Sequence, residues 1–309
     1  MAVRIGIGFG GWPFETLQPE LLWDYTLRCE ALGFDSLWLS DRIVSEKFNV
    51  EPLMAIATMA SLTKNLKFGT SVLGLPLRNP TILAKQIASL DFLSNGRLLP
   101  AVGLGSENDR EYESCGTHRS IRSGQTDEAI RIMRLLWSQD NVNFQGKYFS
   151  LRNISIQPKP VQKDLPPIWI GGRSEAALKR TARVGDGWLV SRASASDVGL
   201  GINKIKEYLK QYGRTGSIEE DHYGAILNFC FADSFNDAEI LARPYLYPNS
   251  QDSDYRKFSI LGRPENARNL IDSFIKAGAT KFIARPCCPP EMMLEQLEIL
   301  GQSILPYYH

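Results

Sequence analysis

Eight short apolar runs punctuate the chain, at residues 3–9, 36–39, 66–73, 98–103, 168–170, 187–190, 223–231 and 281–284. Helical periodicity fills the gaps: Leu21, Leu22, Tyr25 and Cys29 recur at helical spacing, as do Ile82, Lys85, Leu90 and Leu93. Strands buried on both faces read as unbroken apolar runs, so this alternation demands a parallel sheet with helical crossovers. Eight strand-then-helix units predict a (β/α)8 barrel of the TIM type, whose usual size is roughly 250 residues before insertions. The 309 residues read as one domain, 1–309.

Several boundaries are legible. Pro19 and Pro80 stand at the start of helices, where a missing N–H costs nothing, and Gly33 follows Leu32 as a C-terminal stop. Residues 141–167 break the rhythm: alternation around Gly146 predicts a hairpin and the prolines an extended return. They form an insertion between the fourth helix and the fifth strand.

Charge narrows the partners. Lys plus Arg number 35 against 34 for Asp plus Glu, with no basic block, which argues against nucleic acid. The N-terminus has no long apolar region with a small-residue cleavage site, and no segment has the length to span a bilayer, so a cytoplasmic protein is expected. The five cysteines, Cys29, Cys115, Cys230, Cys287 and Cys288, are odd in number and lack CxxC spacing, which argues against a disulfide framework or a zinc site. Cys287 and Cys288 read as a redox pair or as two small residues at a strand end. His118, His222 and His309 assemble no Ser/His/Asp arrangement and no metal-ligand cluster, so no metal is expected.

A barrel of this type carries its active site at the C-terminal ends of its strands. After the second strand come Asp41 and Arg42, which read either as groups that bind a polar heterocycle and carry charge to a substrate or as a salt-bridged strand cap. After the fourth, Gly103 and Gly105 lead to Ser106, Glu107, Asn108 and Asp109. Glu107 could move a proton if partial burial raised its pKa, whereas Asp109 and Glu111 suit the opening turn of a helix. The fifth strand runs into Gly171 and Gly172 and then a helix opening at Ser174, a start with unshielded amides suited to phosphate, with Arg173 adding charge. His118 and Arg119 lie in a loop that could fold over the mouth.

These residues resemble the bacterial luciferase-like family of flavin- and deazaflavin-dependent oxidoreductases. The resemblance is carried by "ALGFDSLWLSD", "LKFGTSVLGLPLRNPTILAKQIASLDFLSNGRLLPAVGLG", "DEAIRIMRLLW", "PPIWIGGRSEAALKRTARVGDGW" and "GRPENARNLIDSFIKAGATKF". It implies an isoalloxazine ring, or its 5-deaza relative, at the mouth of the barrel. A bulge at the end of the third strand, often with a non-proline cis peptide, supports the ring in this family and would fall at Ser71 and Val72. The cofactor phosphate would sit on the amides of Gly171 and Gly172, with Asp41 and Gly103 beside the ring. Two departures stand out. Arg42 replaces the His that many members carry after the second-strand acid, and the segment after the fourth strand is one residue shorter and lacks their Trp.

"LSDR" resembles the deazaflavin-dependent members more than the Glu-His pattern of many flavin monooxygenases. The resemblance therefore implies hydride transfer between reduced coenzyme F420 and a small organic substrate, with Glu107 or Asp41 handling the proton and Arg42 orienting a polar group. Two alternatives stay open: an FMN-dependent monooxygenase fed by a separate reductase, and a non-catalytic flavin-binding barrel. A homodimer or higher homo-oligomer is implied. Substrate choice is expected to rest on loops 40–50, 110–125 and 244–259.

Overall fold

The apolar runs become strands in chain order: β1 (Arg4–Phe9), β2 (Ser36–Leu39), β3 (Lys67–Thr70), β4 (Leu73–Gly74), β5 (Leu98–Leu99) and β6 (Ala101–Gly103). An antiparallel hairpin follows, β7 (Val142–Gln145) with β8 (Ser150–Ile154), and then β9 (Trp169–Gly171), β10 (Gly187–Ser191), β11 (Tyr223–Phe231), β12 (Ser259–Gly262) and β13 (Lys281–Pro286). The computed structural model describes residues 3–246 and 253–308. Two of the eight runs are split. Ser71 and Val72, joined by a cis peptide, separate β3 from β4, and Pro100, which has no N–H to give a ladder, separates β5 from β6.

Parallel pairing closes the ring. β1 joins β2 and β13, β2 joins β3, β3 joins β5, β4 joins β6, and β6 leads through β9, β10 and β11 back to β13. Counting each split run once gives eight strand positions, the expected (β/α)8 barrel. β12 is an addition that the sequence reading missed. It pairs with the far end of β11, Asn228–Phe231, outside the ring, and its four residues SILG make too short a run to stand out.

Helices cover the outside: α1 (Pro19–Ala31), α2 (Pro52–Leu62), α3 (Pro80–Leu93), α4 (Asp109–Ser114), α5 (Arg122–Ser138), α6 (Glu175–Val184), α7 (Ala195–Gln211), α8 (Phe235–Ala242), α9 (Pro264–Lys276) and α10 (Met293–Ser303). Pro19 and Pro80 start their helices and Gly33 follows the α1 cap, as expected. The buried face of α3 differs from the expected one. Leu83, Ala84, Ile87, Ala88 and Leu90 face the sheet, while Ile82 and Leu93 are exposed, because a helix apolar on most sides leaves its periodicity ambiguous. The hairpin lies where alternation around Gly146 placed it, and the Glu128 carboxylate on α5 accepts from the amides of Lys147, Tyr148 and Phe149 in its turn.

Two cores result. The larger lies between sheet and helices. The smaller draws only on strands, with Trp38, Ala101, Trp169, Leu189, Ile226 and Ile283 packed inside the ring and Val72 and Leu99 against them. Among the described residues no helix is long and apolar enough to cross a membrane. Cys287 and Cys288 are buried free thiols beyond the end of β13; burial pushes Cys287 up and Cys288 to about 12, which suits small packing residues rather than a reactive pair.

Candidate active site

A cleft of about 730 Å³ opens at the C-terminal ends of the strands. Seven of the eight strand positions contribute to its wall, through Gly10, Ser40, Gly74, Gly103, Gly171, Arg192 and Arg285. All nine residues given a catalytic or cofactor task from the sequence, Asp41, Arg42, Ser71, Val72, Gly103, Glu107, Gly171, Gly172 and Arg173, line it, whereas His118 and Arg119, expected over the mouth, line a separate hollow.

Its floor is Val72. A Cβ placed on Gly103 would lie 2.8 Å from Val72 Cγ2, and one on Gly171 would lie 2.8 Å from Val72 Cγ1. These two glycines therefore make room for the Val72 side chain while also lining the cleft. The Ser71 amide donates to Leu39 O at 2.7 Å, and Ser40 Oγ donates to Ser71 O at 3.3 Å, so the cis unit is tied to the end of β2.

One side of the cleft suits an anion. Gly172 has φ +115, a conformation that L side chains rarely adopt, and its carbonyl accepts from Trp188 Nε1 at 2.7 Å. Ser174 then caps α6 by accepting from Ala177 N at 3.3 Å, as its sequence position implied. Arg173 and Arg192 stand beside this turn, the first donating to the carbonyl of the second. The single acid in the first turn of α6, Glu175, is drawn off to Lys204, Lys179 and Tyr208. In all, six arginines (42, 122, 173, 180, 192 and 285) line the cleft against three carboxylates, 41, 107 and 111.

The carboxylates do not stand as the sequence suggested. Asp41 pairs with Arg78, not Arg42: Oδ2 accepts from Arg78 Nη1 at 2.6 Å and Gly74 N at 2.9 Å, while Oδ1 accepts from Arg78 Nη2 at 2.8 Å. Its side chain is 1% exposed, so it works as the strand-tying alternative, with a different arginine. Glu107 is 72% exposed, and the hydrogen bond from Arg122, reinforced by Arg119, holds its carboxyl below the ordinary range. The burial that would have raised its pKa is absent. Arg42 is exposed at the rim.

Two side chains, Arg285 and Arg78, escaped the sequence reading, and a third, Glu111, does more than the helix opening expected of it. Arg285 donates from Nη2 to Ser40 Oγ at 3.2 Å and Ser71 Oγ at 3.4 Å, beside the cis unit. It directly follows the eighth apolar run, so the strand-end rule applied there would have found it. Glu111 does open a helix, and its buried carboxylate also accepts from Ile43 N at 2.9 Å, Val44 N at 3.2 Å and Ser106 Oγ at 2.5 Å. Burial would raise its pKa, but these donors hold it below the ordinary range. It thus joins the loop carrying Arg42 to the loop carrying Glu107. Arg78 lies in the loop after the third strand with no pattern to mark it.

A flat ring fits this arrangement: an apolar floor at Val72, an open cleft above it, and a cationic helix start for a phosphate. The sequence pattern of the luciferase-like monooxygenase family matches residues 11–278. The chain belongs to that family. Among luciferase-like relatives, the F420-dependent glucose-6-phosphate dehydrogenase of Amycolatopsis mediterranei is 31% identical over 208 residues, 64% of this chain and 60% of that protein. The FMNH2-dependent dimethylsulfone monooxygenase of Pseudomonas fluorescens is 32% identical over 210 residues, 64% of this chain and 56% of that protein. The matched region thus spans only about 60% of these relatives' length. An F420-dependent secondary alcohol dehydrogenase, solved with an F420-acetone adduct, superposes with a TM-score of 0.85 over 100% of both chains at 21% identity, a likeness of fold.

Residues 247–252 of the third expected substrate loop, and His309, lie outside the described residues.

Proposed function

We propose that this luciferase-like protein is an oxidoreductase that holds coenzyme F420 in the cleft and acts on a small organic substrate above it. The observation that carries the reading is the cleft floor: the Val72 side chain seated over Gly103 and Gly171, beside a glycine-started helix with two arginines. The F420-dependent relative at 31% identity and the "LSDR" pattern favour the deazaflavin. When bound, a deazaflavin supplies a hydride, since carbon replaces flavin N5, whereas a reduced flavin can also activate oxygen.

The chain's own residues have separate tasks in this reading. Val72, steadied by Gly103 and Gly171, presents an apolar wall and keeps water from one side of the ring. Gly172, Arg173 and Ser174 take the phosphate through backbone N–H groups and charge. Asp41 holds the amide of Gly74 and so positions β4. Arg42 orients a polar substrate group from the rim. Glu107, ionised at neutral pH, would take up the proton released when the substrate is oxidised, and in the reducing direction would have to be protonated first in order to donate it.

Fluorescence titration with F420 and with FMN tests the reading. Tight binding of F420 supports it, and binding of neither cofactor overturns it. Gly172→Glu places a carboxylate in the phosphate site and should weaken binding at least 100-fold, whereas Gly172→Ala, which strains the turn without adding charge, should weaken it far less. The FMN-dependent relative at 32% identity supports a second reading, a monooxygenase supplied with reduced flavin. Substrate-dependent oxygen consumption with reduced FMN, absent with reduced F420, would select it. Turnover with either cofactor excludes a purely binding barrel.

A further inference from the structure

Three hollows share walls at the side of the barrel mouth. The cleft shares Gly10 and Ser40 with a small chamber between the ends of β1 and β2. That chamber, about 20 Å³, is walled chiefly by Phe9, Leu39, Trp12 and Val50. It shares Trp12, Leu22, Val50 and Ala55 with an outer groove of about 240 Å³ between α1 and α2, where Leu17, Phe48 and Met54 are exposed. Trp12 is the largest side chain that the chamber and the groove share. Its Nε1 donates to Thr16 O at 2.8 Å, its amide donates to Phe48 O at 3.2 Å, and its ring meets Phe14 and Phe48 edge-on at 5.3 and 5.4 Å.

Gly10 leaves room where the cleft meets the chamber. A Cβ placed on Gly10 would meet nothing nearer than Ser40 Oγ at 3.9 Å. The chamber behind it has the volume of little more than one water, and its largely apolar wall offers a water few partners. A methyl or ethyl group suits it better. We propose that the substrate carries an apolar substituent that enters this chamber past Gly10, and that Trp12 sets the length of substituent accepted. The inference rests on the reading of the cleft as the ligand site, and it names the substrate class: a small polar reacting group bearing a short alkyl arm.

The probes are linear primary alcohols from ethanol to octan-1-ol, titrated by thermal shift and tryptophan fluorescence into the protein with and without cofactor. In the unmodified protein, affinity should rise about fourfold per methylene over the first two or three carbons and then stop. Trp12→Ala should move that break outward by at least three methylenes, and Trp12→Leu by fewer. Gly10→Val, whose Cβ meets nothing nearer than 3.9 Å and whose methyls narrow the entrance, should flatten the series from its start. An even rise through octan-1-ol, or a break that none of these changes moves, overturns the proposal. Loss of long-chain binding in Met54→Arg, with Trp12→Ala silent, would place the alkyl chains in the outer groove alone and also overturn it. A concentration-dependent mass abolished by Met54→Arg, with no chain-length break, would make the groove a subunit contact instead. The alcohol series on cofactor-free protein separates the two failures: a break there upholds this inference even if the cofactor reading falls, and cofactor binding without a break sinks this inference alone.

Discussion

The two ends of the barrel are filled by different means. Below, Trp38 and Trp169 meet edge to face at 6.2 Å and fill the ring between them. Each lies over a glycine: a Cβ on Gly69 would lie inside the indole of Trp38, and one on Gly187 would come within 2.6 Å of Trp169 Cδ2. Above, Gly103 and Gly171 yield their space to one valine, and about 730 Å³ is left over. Polar groups follow the same division. The lower end closes with Lys281 paired to Asp35, the lysine 2% exposed, while the upper end keeps six arginines along an open wall. Glycines at matching places in the strands thus serve a sealed end or a binding cleft, according to the side chain that occupies the space they free.

The sharpest break of this comparison is Gly69→Ala. An indole buried on all sides has nowhere to move, so the added methyl should cost about 3 kcal/mol, read as a lowered urea midpoint at unchanged slope. Gly103→Ala presses on a half-buried valine that can turn toward the open cleft, and about 1 kcal/mol is expected. Equal costs would mean that the upper end is packed as tightly as the lower.

This division marks what could be read from the sequence. The ring of strands was legible because each apolar run is short, bounded and buried on both sides, and the strand-end rule then brought seven residues to one cleft. The cis unit at Ser71 and Val72 came from family resemblance, not from the residues' own chemistry. Ion-pair partners were not legible. Asp41 sits beside Arg42 in sequence, but Arg78 is the cation that a turn of chain carries to it, and no local pattern encodes that distance. Nor could the sequence reveal that Gly171 gives way to a side chain from a strand about a hundred residues earlier, since burial by a distant neighbour leaves no periodicity. The exposure of Glu107 was hidden for the same reason: it depends on a loop conformation set elsewhere.

Val72→Ala tests whether the upper floor serves binding more than stability. Removing two methyls from a half-buried site should cost about 1 kcal/mol or less, because the cleft already borders it. Cofactor affinity, by contrast, should fall about tenfold as the apolar wall recedes, measured by fluorescence titration. A large stability loss with unchanged affinity would make Val72 a core residue like Trp38.

The smallest expected effect concerns Glu107, and its sign discriminates most cleanly between the ends. Arg122 and Arg119 hold its pKa below the ordinary 4.5, so the stability it contributes is present above that value and is lost as pH falls through the lower folded pKa. The pair is exposed, which limits its worth to about 0.2–1 kcal/mol. Urea midpoints of the unmodified protein and Glu107→Gln should therefore differ slightly at pH 6 and draw together as the pH is taken below 4.5. They should also converge at pH 6 in 1 M salt, where screening acts within about 3 Å. A difference that widens on acidification would mean a carboxyl whose folded pKa is raised, the proton-donating Glu107 that burial would have created and that the exposed rim, unlike the sealed lower end, does not provide.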